Sequence, residues 1–191
     1  MCGIVGGVAE RNMMPILLAG LRQLEYRGDD SAGVAVLGPE GNLERIRAMG
    51  KVERLAEKLT GMNASGSLGI AHTRWATHGK PSEENAHPHM SHNQVAVVHN
   101  GIIENYAELK KDLELSGYHF TSETDTEVVV HAIHHKLQEV GGDLLKAVQL
   151  ATVLFEGAYA LGGVSSSDSK RLIAARQGSP LVIGVGVGEH F

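Results

Sequence analysis

Apolar and polar positions alternate along this chain with two different periods, and each period predicts one kind of element. Short segments with strand spacing, bounded by turn-forming residues, occur at residues 4–8, 32–37, 43–48, 67–73, 94–98, 118–121, 158–164, 171–175 and 181–185. Longer segments with helical spacing, most of them beginning near a capping residue, occur at residues 12–26, 51–59, 105–116, 124–140 and 143–155.

The order of these elements predicts a fold class. The strands at 32–37 and 43–48 flank a turn rich in Gly, Pro and Asn and should form a hairpin. Helices are grouped in the first and middle parts of the chain, which favours an α+β or layered α/β arrangement over a doubly wound fold. Residues 74–91 have no periodicity, and a loop of that length inside a compact domain is more often functional than idle.

Composition narrows the class of protein. The 191 residues are enough for one domain with a substantial core, and 42% hydrophobic with 20% charged residues is typical of a soluble globular protein. The net charge of −5 argues against a nucleic-acid partner bound through its phosphates. Neither a membrane span nor a secretory signal is recognisable, and a single cysteine fits a reducing compartment. We therefore expect a cytoplasmic protein with no membrane partner.

The one cysteine, Cys2, stands where removal of Met1 would make it the N-terminal residue. It would then carry a thiol nucleophile and a free α-amine on the same residue. The amine, with an unperturbed pKa of about 8, could take the thiol proton, so Cys2 is a candidate N-terminal nucleophile. The alternative is the commoner role of a lone cysteine, that of a small buried hydrophobic residue.

Asn100 and Gly101 follow a predicted strand and could stabilise an oxyanion. The Asn side-chain amide and the Gly N–H are two donors that can converge on one point, and Gly lets the backbone approach closely. Asn-Gly is also the commonest hairpin turn dipeptide, and its spacing alone favours the turn.

Two further positions suit the charged ends of an amino acid. Arg74 could donate two parallel hydrogen bonds to a carboxylate, although a solvated side chain is as good an interpretation. Trp75 lies in the same polar segment and either caps the core or borders a site. Asp125 is either the N-cap of the helix at 124–140 or a carboxylate that faces a substrate ammonium.

Two other patterns are interpreted as structural. The histidines of the helix at 124–140 have metal-compatible spacing, but no completing ligand is evident, which favours a partly solvated helix face: His131, His134 and His135. The alternating glycines at 184–188 lack both the lysine of a phosphate-binding loop and the dinucleotide spacing, so we predict a strand end and a turn.

Six motifs occur in a fixed order along almost the whole chain. They are CGIVG at 2–6, EYRG with DSAG at 25–33, HTRWATHG at 72–79, NAHPH at 85–89, HNGIIEN at 99–105 and SETDTE at 122–127. In this combination the chain resembles the glutaminase domain of the glucosamine-6-phosphate synthase family. Related amidotransferases share the Cys-Gly start and an Asn-Gly element, while the third and fourth motifs point to the synthase in particular.

The resemblance implies a fold and a catalytic apparatus. The fold would be the α+β N-terminal-nucleophile hydrolase sandwich, with two antiparallel sheets between helical layers (α/β/β/α). Cys2 would be the nucleophile and its own amine the base, while Asn100 and Gly101 would form the oxyanion hole. The reaction would be the hydrolysis of glutamine to glutamate and ammonia through a γ-glutamyl thioester on Cys2.

The resemblance also implies a substrate pocket for glutamine and no cofactor or metal ion. Arg74 would bind the α-carboxylate of glutamine and Asp125 its α-ammonium. The remaining candidates would lie around the same pocket or in a loop over it: Trp75, Thr77, His78 and, with less support, His87. Asp29 stands where the family usually has Tyr.

The resemblance places residues 1–191 in one type 2 glutamine amidotransferase domain that stops before the family's last strands and its sugar isomerase domains. Fructose 6-phosphate would be met only through those domains, and the full-length protein would be a homo-oligomer. Two other interpretations stay open. One is the glutaminase domain of an amidophosphoribosyltransferase-like enzyme, and the other is a non-catalytic glutamine-binding module.

Overall fold

The computed structural model describes residues 2–76 and 79–191 of the chain. Its strands, in chain order, are β1 Gly3–Ala9, β2 Ser31–Leu37, β3 Leu43–Met49, β4 Leu68–Arg74, β5 His89–Ser91, β6 Val95–Gly101, β7 Tyr159–Ser165, β8 Asp168–Gln177 and β9 Glu189–His190. Its helices are α1 Met14–Leu24, α2 Val52–Leu59, α3 Tyr106–Leu115, α4 Asp125–Glu139 and α5 Leu144–Thr152, with a short 3₁₀ turn at Glu25–Arg27.

The strands form two antiparallel sheets. The first has the order β3-β2-β4-β1-β9 and the second the order β5-β6-β7-β8. The predicted hairpin is confirmed, since β2 pairs with β3 from Ser31 opposite Met49 to Leu37 opposite Leu43. No helix among residues 2–76 and 79–191 is both long and apolar enough to span a membrane.

The burial of β2 explains why the molecule is layered. All seven of its residues are buried, so both faces of the strand must be covered. One face, with Val34 and Val36, packs with α1 and α2, while the other, with Ala35 and Leu37, packs against the second sheet. Helices α3, α4 and α5 cover the outer face of the second sheet. The predicted α/β/β/α sandwich is therefore confirmed.

Helix α4 begins where the sequence predicts, and the structure decides which residue caps it. The Thr124 hydroxyl accepts a hydrogen bond from the backbone N–H of Glu127, as an N-cap side chain does. Asp125 is the first helical residue and is not the cap. Its carboxylate is therefore available for another role.

Two predicted strands are wrong. Residues 118–121 stay irregular because the Thr121 N–H donates to the Glu127 carboxylate (3.0 Å) and not to a neighbouring strand. Residues 181–185 make one isolated bridge, between Val185 and His190, and Gly184 instead exchanges two backbone hydrogen bonds with Phe191. The turn predicted at 184–188 is therefore present, without the strand before it. The three-residue strand β5 lies within the segment predicted to be a loop.

An apolar cavity of about 620 Å³ lies between β1 and β8, under residues 181–191. Aliphatic side chains such as Ile4, Ile70 and Leu161 line its walls. Among the described residues, no site residue predicted from the sequence borders it, so we interpret it as a gap between the two sheets.

Candidate functional site

Cys2 lies where the start of β1 meets the end of β4. The two strands are antiparallel, with Gly3 opposite Thr73, so the residues after Thr73 run beside the cysteine. The Gly3 N–H donates to the Thr73 hydroxyl (3.2 Å), and the backbone N–H of Trp75 donates to the Cys2 thiol sulfur (3.4 Å). Cys2 is half-buried at this end of the sheet.

Asn100 brings the second sheet to the same point. Its side-chain Nδ2 donates to the backbone carbonyl of Cys2, 3.2 Å away. Asn100 and Gly101 pair with Ala160 and Tyr159 on β7, so they end a strand and do not form a hairpin turn. The turn interpretation is therefore wrong.

Gly101 could not be replaced by a larger residue without moving the backbone. Its φ is +142°, and an added Cβ would collide with the carbonyl oxygen of Ala158. This backbone conformation is one that residues with a side chain rarely adopt. The Asn-Gly pair thus ends the strand next to Cys2 in a conformation that suits glycine.

The surroundings of Cys2 favour the protonated thiol. Burial raises the pKa of Cys2, and the Asp30 carboxylate raises it further, while the Trp75 N–H and the Arg74 guanidinium lower it. The net shift is upward from an already high value. A base must therefore take the proton before Cys2 can act as a nucleophile at neutral pH.

Arg74, the last residue of β4, is only 3% exposed, so it is not a solvated surface cation. Its Nη2 donates to the Gly79 carbonyl (3.2 Å) and its Nη1 to the Lys80 carbonyl (3.4 Å). Asp30 Oδ1 lies 3.7 Å from Nη1. A buried guanidinium held in this way can present its charge to a carboxylate ligand in a fixed orientation.

Asp30 contacts several of these groups, although its sequence position did not single it out as a site residue. Its carboxylate accepts hydrogen bonds from the Ala76 N–H and from the Ser31 hydroxyl (2.8 Å), in addition to facing Arg74. It therefore fixes both Arg74 and the backbone that passes Cys2. The sequence feature that could have indicated these contacts is the position of an acidic residue directly before a buried strand. Its neighbour Asp29 is exposed.

Asp125, in the first turn of α4, is 4% exposed. Its Oδ2 accepts a hydrogen bond from the Ile103 N–H (2.9 Å), two residues after Gly101. Its Oδ1 lies 3.9 Å from Nδ1 of His99, the residue before Asn100. The structure therefore ties Asp125 to the same strand end that carries Asn100 and Gly101.

The remaining predicted pocket residues have different surroundings. Trp75 is 56% exposed, directly after Arg74 and in contact with Cys2 through its backbone. His87 is buried, and its Nε2 lies 2.6 Å from the Thr126 hydroxyl. Thr77 and His78 lie outside the described residues.

Three further buried histidines, which lie near His87, were missed: His72, His89 and His99. The His72 and His87 rings lie 4.2 Å apart, and those of His87 and His89 lie 4.9 Å apart. Burial lowers the pKa of His72 to about 3, and it holds the pKa values of His87 and His89 well below the usual range. These three side chains are therefore neutral at physiological pH. The sequence feature that could have indicated these histidines is their position close to Arg74, Pro88 and Asn100 in the chain.

The helix face with three histidines is not partly solvated as predicted, except at one position. His131 and His134 are buried and hydrogen-bonded to the Ser91 hydroxyl (2.9 Å) and the Tyr118 hydroxyl (2.8 Å). Only His135 remains about half exposed. Among residues 2–76 and 79–191, no group of three or more His, Cys, Asp or Glu side chains is placed to hold a metal ion.

Comparison with known proteins extends this picture. The profile of the glutamine amidotransferase domain family matches residues 72–190. The chain is 60% identical to a Pseudomonas aeruginosa protein and 62% identical to an Acinetobacter baylyi protein, both named glutamine–fructose-6-phosphate aminotransferase (isomerizing). Each match covers 100% of this chain and 31% of the relative, so the chain spans about a third of their length.

A solved structure has the same architecture. Glutamine phosphoribosylpyrophosphate amidotransferase from B. subtilis superposes with a TM-score of 0.81 at 28% sequence identity, over 99% of this chain and 41% of that one. The family match covers more than half of the chain, and the aminotransferase relatives align with all of it. The chain belongs to the glutamine amidotransferase domain family.

Proposed function

We propose that this chain hydrolyses glutamine to glutamate and ammonia through a γ-glutamyl thioester on Cys2. The observation that carries the proposal is the hydrogen bond from the Asn100 side-chain amide to the Cys2 backbone carbonyl, which places an amide donor beside the residue that carries the thiol. Arg74 and Asp125, both buried beside those strand ends, provide one positive and one negative charge. The zwitterionic end of glutamine carries an α-carboxylate and an α-ammonium, and these two charges complement them.

The reaction uses groups of this chain alone. Once Met1 is removed, the Cys2 amine takes the thiol proton, and the thiolate attacks the side-chain amide carbon of glutamine. The Asn100 amide and the Gly101 N–H stabilise the oxyanion, each contributing about 3 kcal/mol. The Cys2 ammonium then protonates the departing ammonia. Water, deprotonated by the same amine, cleaves the thioester and releases glutamate and the free thiol.

The substrate is oriented by its charged end. The Arg74 guanidinium binds the α-carboxylate and the Asp125 carboxylate binds the α-ammonium. Trp75 and His87 belong to the same proposed pocket, and Thr77 and His78 are proposed as further contacts from the resemblance alone. A substrate that lacks either charge would leave a buried partner unpaired, which costs several kcal/mol. The site therefore selects glutamine over simple amides.

The test is glutamate release by the purified chain, with removal of Met1 checked by mass spectrometry. Wild-type protein should release glutamate, whereas Cys2→Ala should release none while keeping the same unfolding midpoint. A form that retains Met1 should also be inactive, because its Cys2 nitrogen is an amide. Release that persists in Cys2→Ala would contradict the proposal, and so would correctly processed, folded protein without activity, which would fit a non-catalytic glutamine-binding module.

The ammonia is used, in this proposal, to make glucosamine 6-phosphate from fructose 6-phosphate. Residues 1–191 act as the glutaminase domain of a longer homo-oligomeric enzyme whose further domains hold the sugar. Support comes from the relatives of that name, which are about 60% identical to this chain. The amidophosphoribosyltransferase structure shares the fold but only 28% of the aligned residues, which makes its acceptor the second candidate.

A chimaera separates the two acceptors. This chain would replace the N-terminal third of the Pseudomonas aeruginosa relative, and glucosamine 6-phosphate would be measured with glutamine and fructose 6-phosphate as substrates. The chimaera should form the amino sugar. Glutamine hydrolysis with no amino sugar formed, from a folded chimaera, would reject this acceptor.

A further inference from the structure

The Thr126 hydroxyl lies between two histidines directly beside Asp125. Thr126 is only 1% exposed, and its Oγ1 is 2.9 Å from His99 Nδ1 and 2.6 Å from His87 Nε2. A hydroxyl has one proton to donate, so it donates to one of these rings and accepts from the other. The arrangement therefore leaves two possible orders of the protons on these ring nitrogens.

The charge of Asp125 decides the order of these protons. Asp125 Oδ1 lies 3.9 Å from His99 Nδ1, and the positive end of an N–H is favourable at that distance even when it points to Thr126, whereas a bare nitrogen lone pair would repel the carboxylate. We therefore assign the proton to His99 Nδ1, which donates to Thr126. The Thr126 hydroxyl then donates to His87 Nε2.

The His99 backbone is held as well. His72 Nε2 lies 2.9 Å from the His99 carbonyl oxygen, and because a carbonyl only accepts, His72 must donate. Burial keeps His72 and His87 neutral, so the proton order is stable over the working pH range.

The two oxygens of Asp125 then have different surroundings. Oδ2 accepts the hydrogen bond from Ile103, while Oδ1 stays beyond hydrogen-bond distance of His99. We infer that Thr126 is a positioning residue, whose hydroxyl keeps the His99 N–H directed away from Asp125 Oδ1 and so leaves that oxygen open to the ammonium of the substrate. This inference rests on the proposed glutamine hydrolysis. Without the hydroxyl, Asp125 Oδ1 becomes the acceptor for His99, in competition with the substrate.

Three variants test it by steady-state kinetics of glutamine hydrolysis. Thr126→Val keeps the side-chain shape and removes the hydroxyl, so KM for glutamine should rise about tenfold or more while kcat changes less than about twofold. Thr126→Ser restores the hydroxyl and should restore KM. Ser91→Ala is the matched control, because the Ser91 hydroxyl also joins two histidines, His131 and His92, and within the described part of the chain these hydrogen bonds involve no site residue. It should leave KM unchanged.

A substrate without the α-amine separates positioning from general damage. 4-Carbamoylbutanoate is glutamine without its ammonium, so Thr126→Val should leave kcat/KM for this compound unchanged while kcat/KM for glutamine falls. Equal losses for both compounds would show general damage to the site and overturn the inference. An unchanged KM for glutamine in Thr126→Val would overturn it too.

Nitrogen-15 NMR of the histidine rings tests the proton order without any activity. The wild-type spectrum should show His99 protonated at Nδ1 and His72 at Nε2, and the His99 N–H signal should shift in Thr126→Val. A His99 ring protonated only at Nε2 would reject the mechanism. If the wild-type chain hydrolysed no glutamine, the proposed function would fail while this spectrum still reported on the histidines.

Discussion

Asn100 is the residue that links the two sheets at the site. Its amide contacts the backbone of Cys2, although the two residues are 98 positions apart in the chain. A donor in that position is worth most when charge develops on the substrate carbonyl and little before. Its removal should therefore affect the chemical step more than binding.

Asn100→Ala should lower kcat for glutamine hydrolysis by about 10²–10³-fold and leave KM nearly unchanged. Stopped assays of glutamate release over a range of glutamine concentrations measure both constants. Asn105→Ala is a suitable control, since the Asn105 amide donates to the exposed Leu154 carbonyl and does not reach Cys2. A kcat for Asn100→Ala within threefold of wild type would remove Asn100 from the oxyanion hole.

The sequence could indicate those candidate site residues whose chemical type is unusual for the place where they occur in the chain. Cys2 at the chain start, Arg74 in an aperiodic polar segment and Asp125 at a helix start were all identifiable. Asp30 and Thr126 were not, because their roles depend on which strand ends meet, and pairing between strands far apart in sequence decides that. The Asn-Gly pair shows the same limit, since its spacing favoured a turn and only the pairing with β7 excludes one.

The start of helix α4 is held by a side chain of its own first turn. The Glu127 carboxylate accepts hydrogen bonds from the backbone and the hydroxyl of both Thr121 and Ser122. Burial alone would raise the pKa of Glu127, but these hydrogen bonds outweigh it and the pKa lies below the usual value. The contacts fix the loop before the helix, and with it the position of Asp125.

Glu127→Gln should lower the free energy of unfolding by about 1–3 kcal/mol, because the amide accepts fewer hydrogen bonds and carries no charge. Urea denaturation followed by circular dichroism would measure the loss. Glu139→Gln, at the exposed end of the same helix, should leave the free energy of unfolding nearly unchanged. Equal stability of Glu127→Gln and wild type would show that the loop is held by other contacts.

The elements that were predicted wrongly share a physical cause. Residues 118–121 and 181–185 have strand composition, but within the described residues neither segment has a neighbouring strand along its length to pair with. Strand β5 has the opposite property, because its three residues pair with Val95–Val97 despite a sequence rich in loop formers. Strand propensity describes how well a side chain fits into a sheet. Whether a neighbouring strand is present to form that sheet depends on the fold of the whole chain.

At the scale of the whole molecule, the layered fold buries polar groups as well as apolar ones. The strand and helix periods predicted an α+β or layered arrangement, whereas the four-layer order came from the resemblance. Neither could indicate that histidines would lie between the layers, since a histidine in a sequence is as often exposed as buried. Their burial makes the stability of this protein depend on pH.

The neutral buried histidines predict acid destabilisation from near neutral pH. In the folded chain, burial lowers the pKa of His72 to about 3 and that of His134 to about 4, and the pKa values of His87 and His89 lie well below normal. The unfolded chain protonates all four near pH 6.5. Below pH 6.5 the unfolded state binds more protons than the folded state, so the stability that these histidines contribute is fully present only above pH 6.5. It is lost as the pH falls toward 4, by about 1.4 kcal/mol per pH unit for each histidine.

Proton uptake on unfolding measures this effect directly. Calorimetry at pH 5.5, in buffers with different ionisation enthalpies, should give an uptake of about three to four protons from these histidines, to which carboxylates such as Glu127 add. His135→Gln, which changes the half-exposed histidine of the same helix, serves as the control. An uptake below about one proton would mean that the buried histidines are already charged in the folded protein. The neutral network behind Asp125 could not then exist.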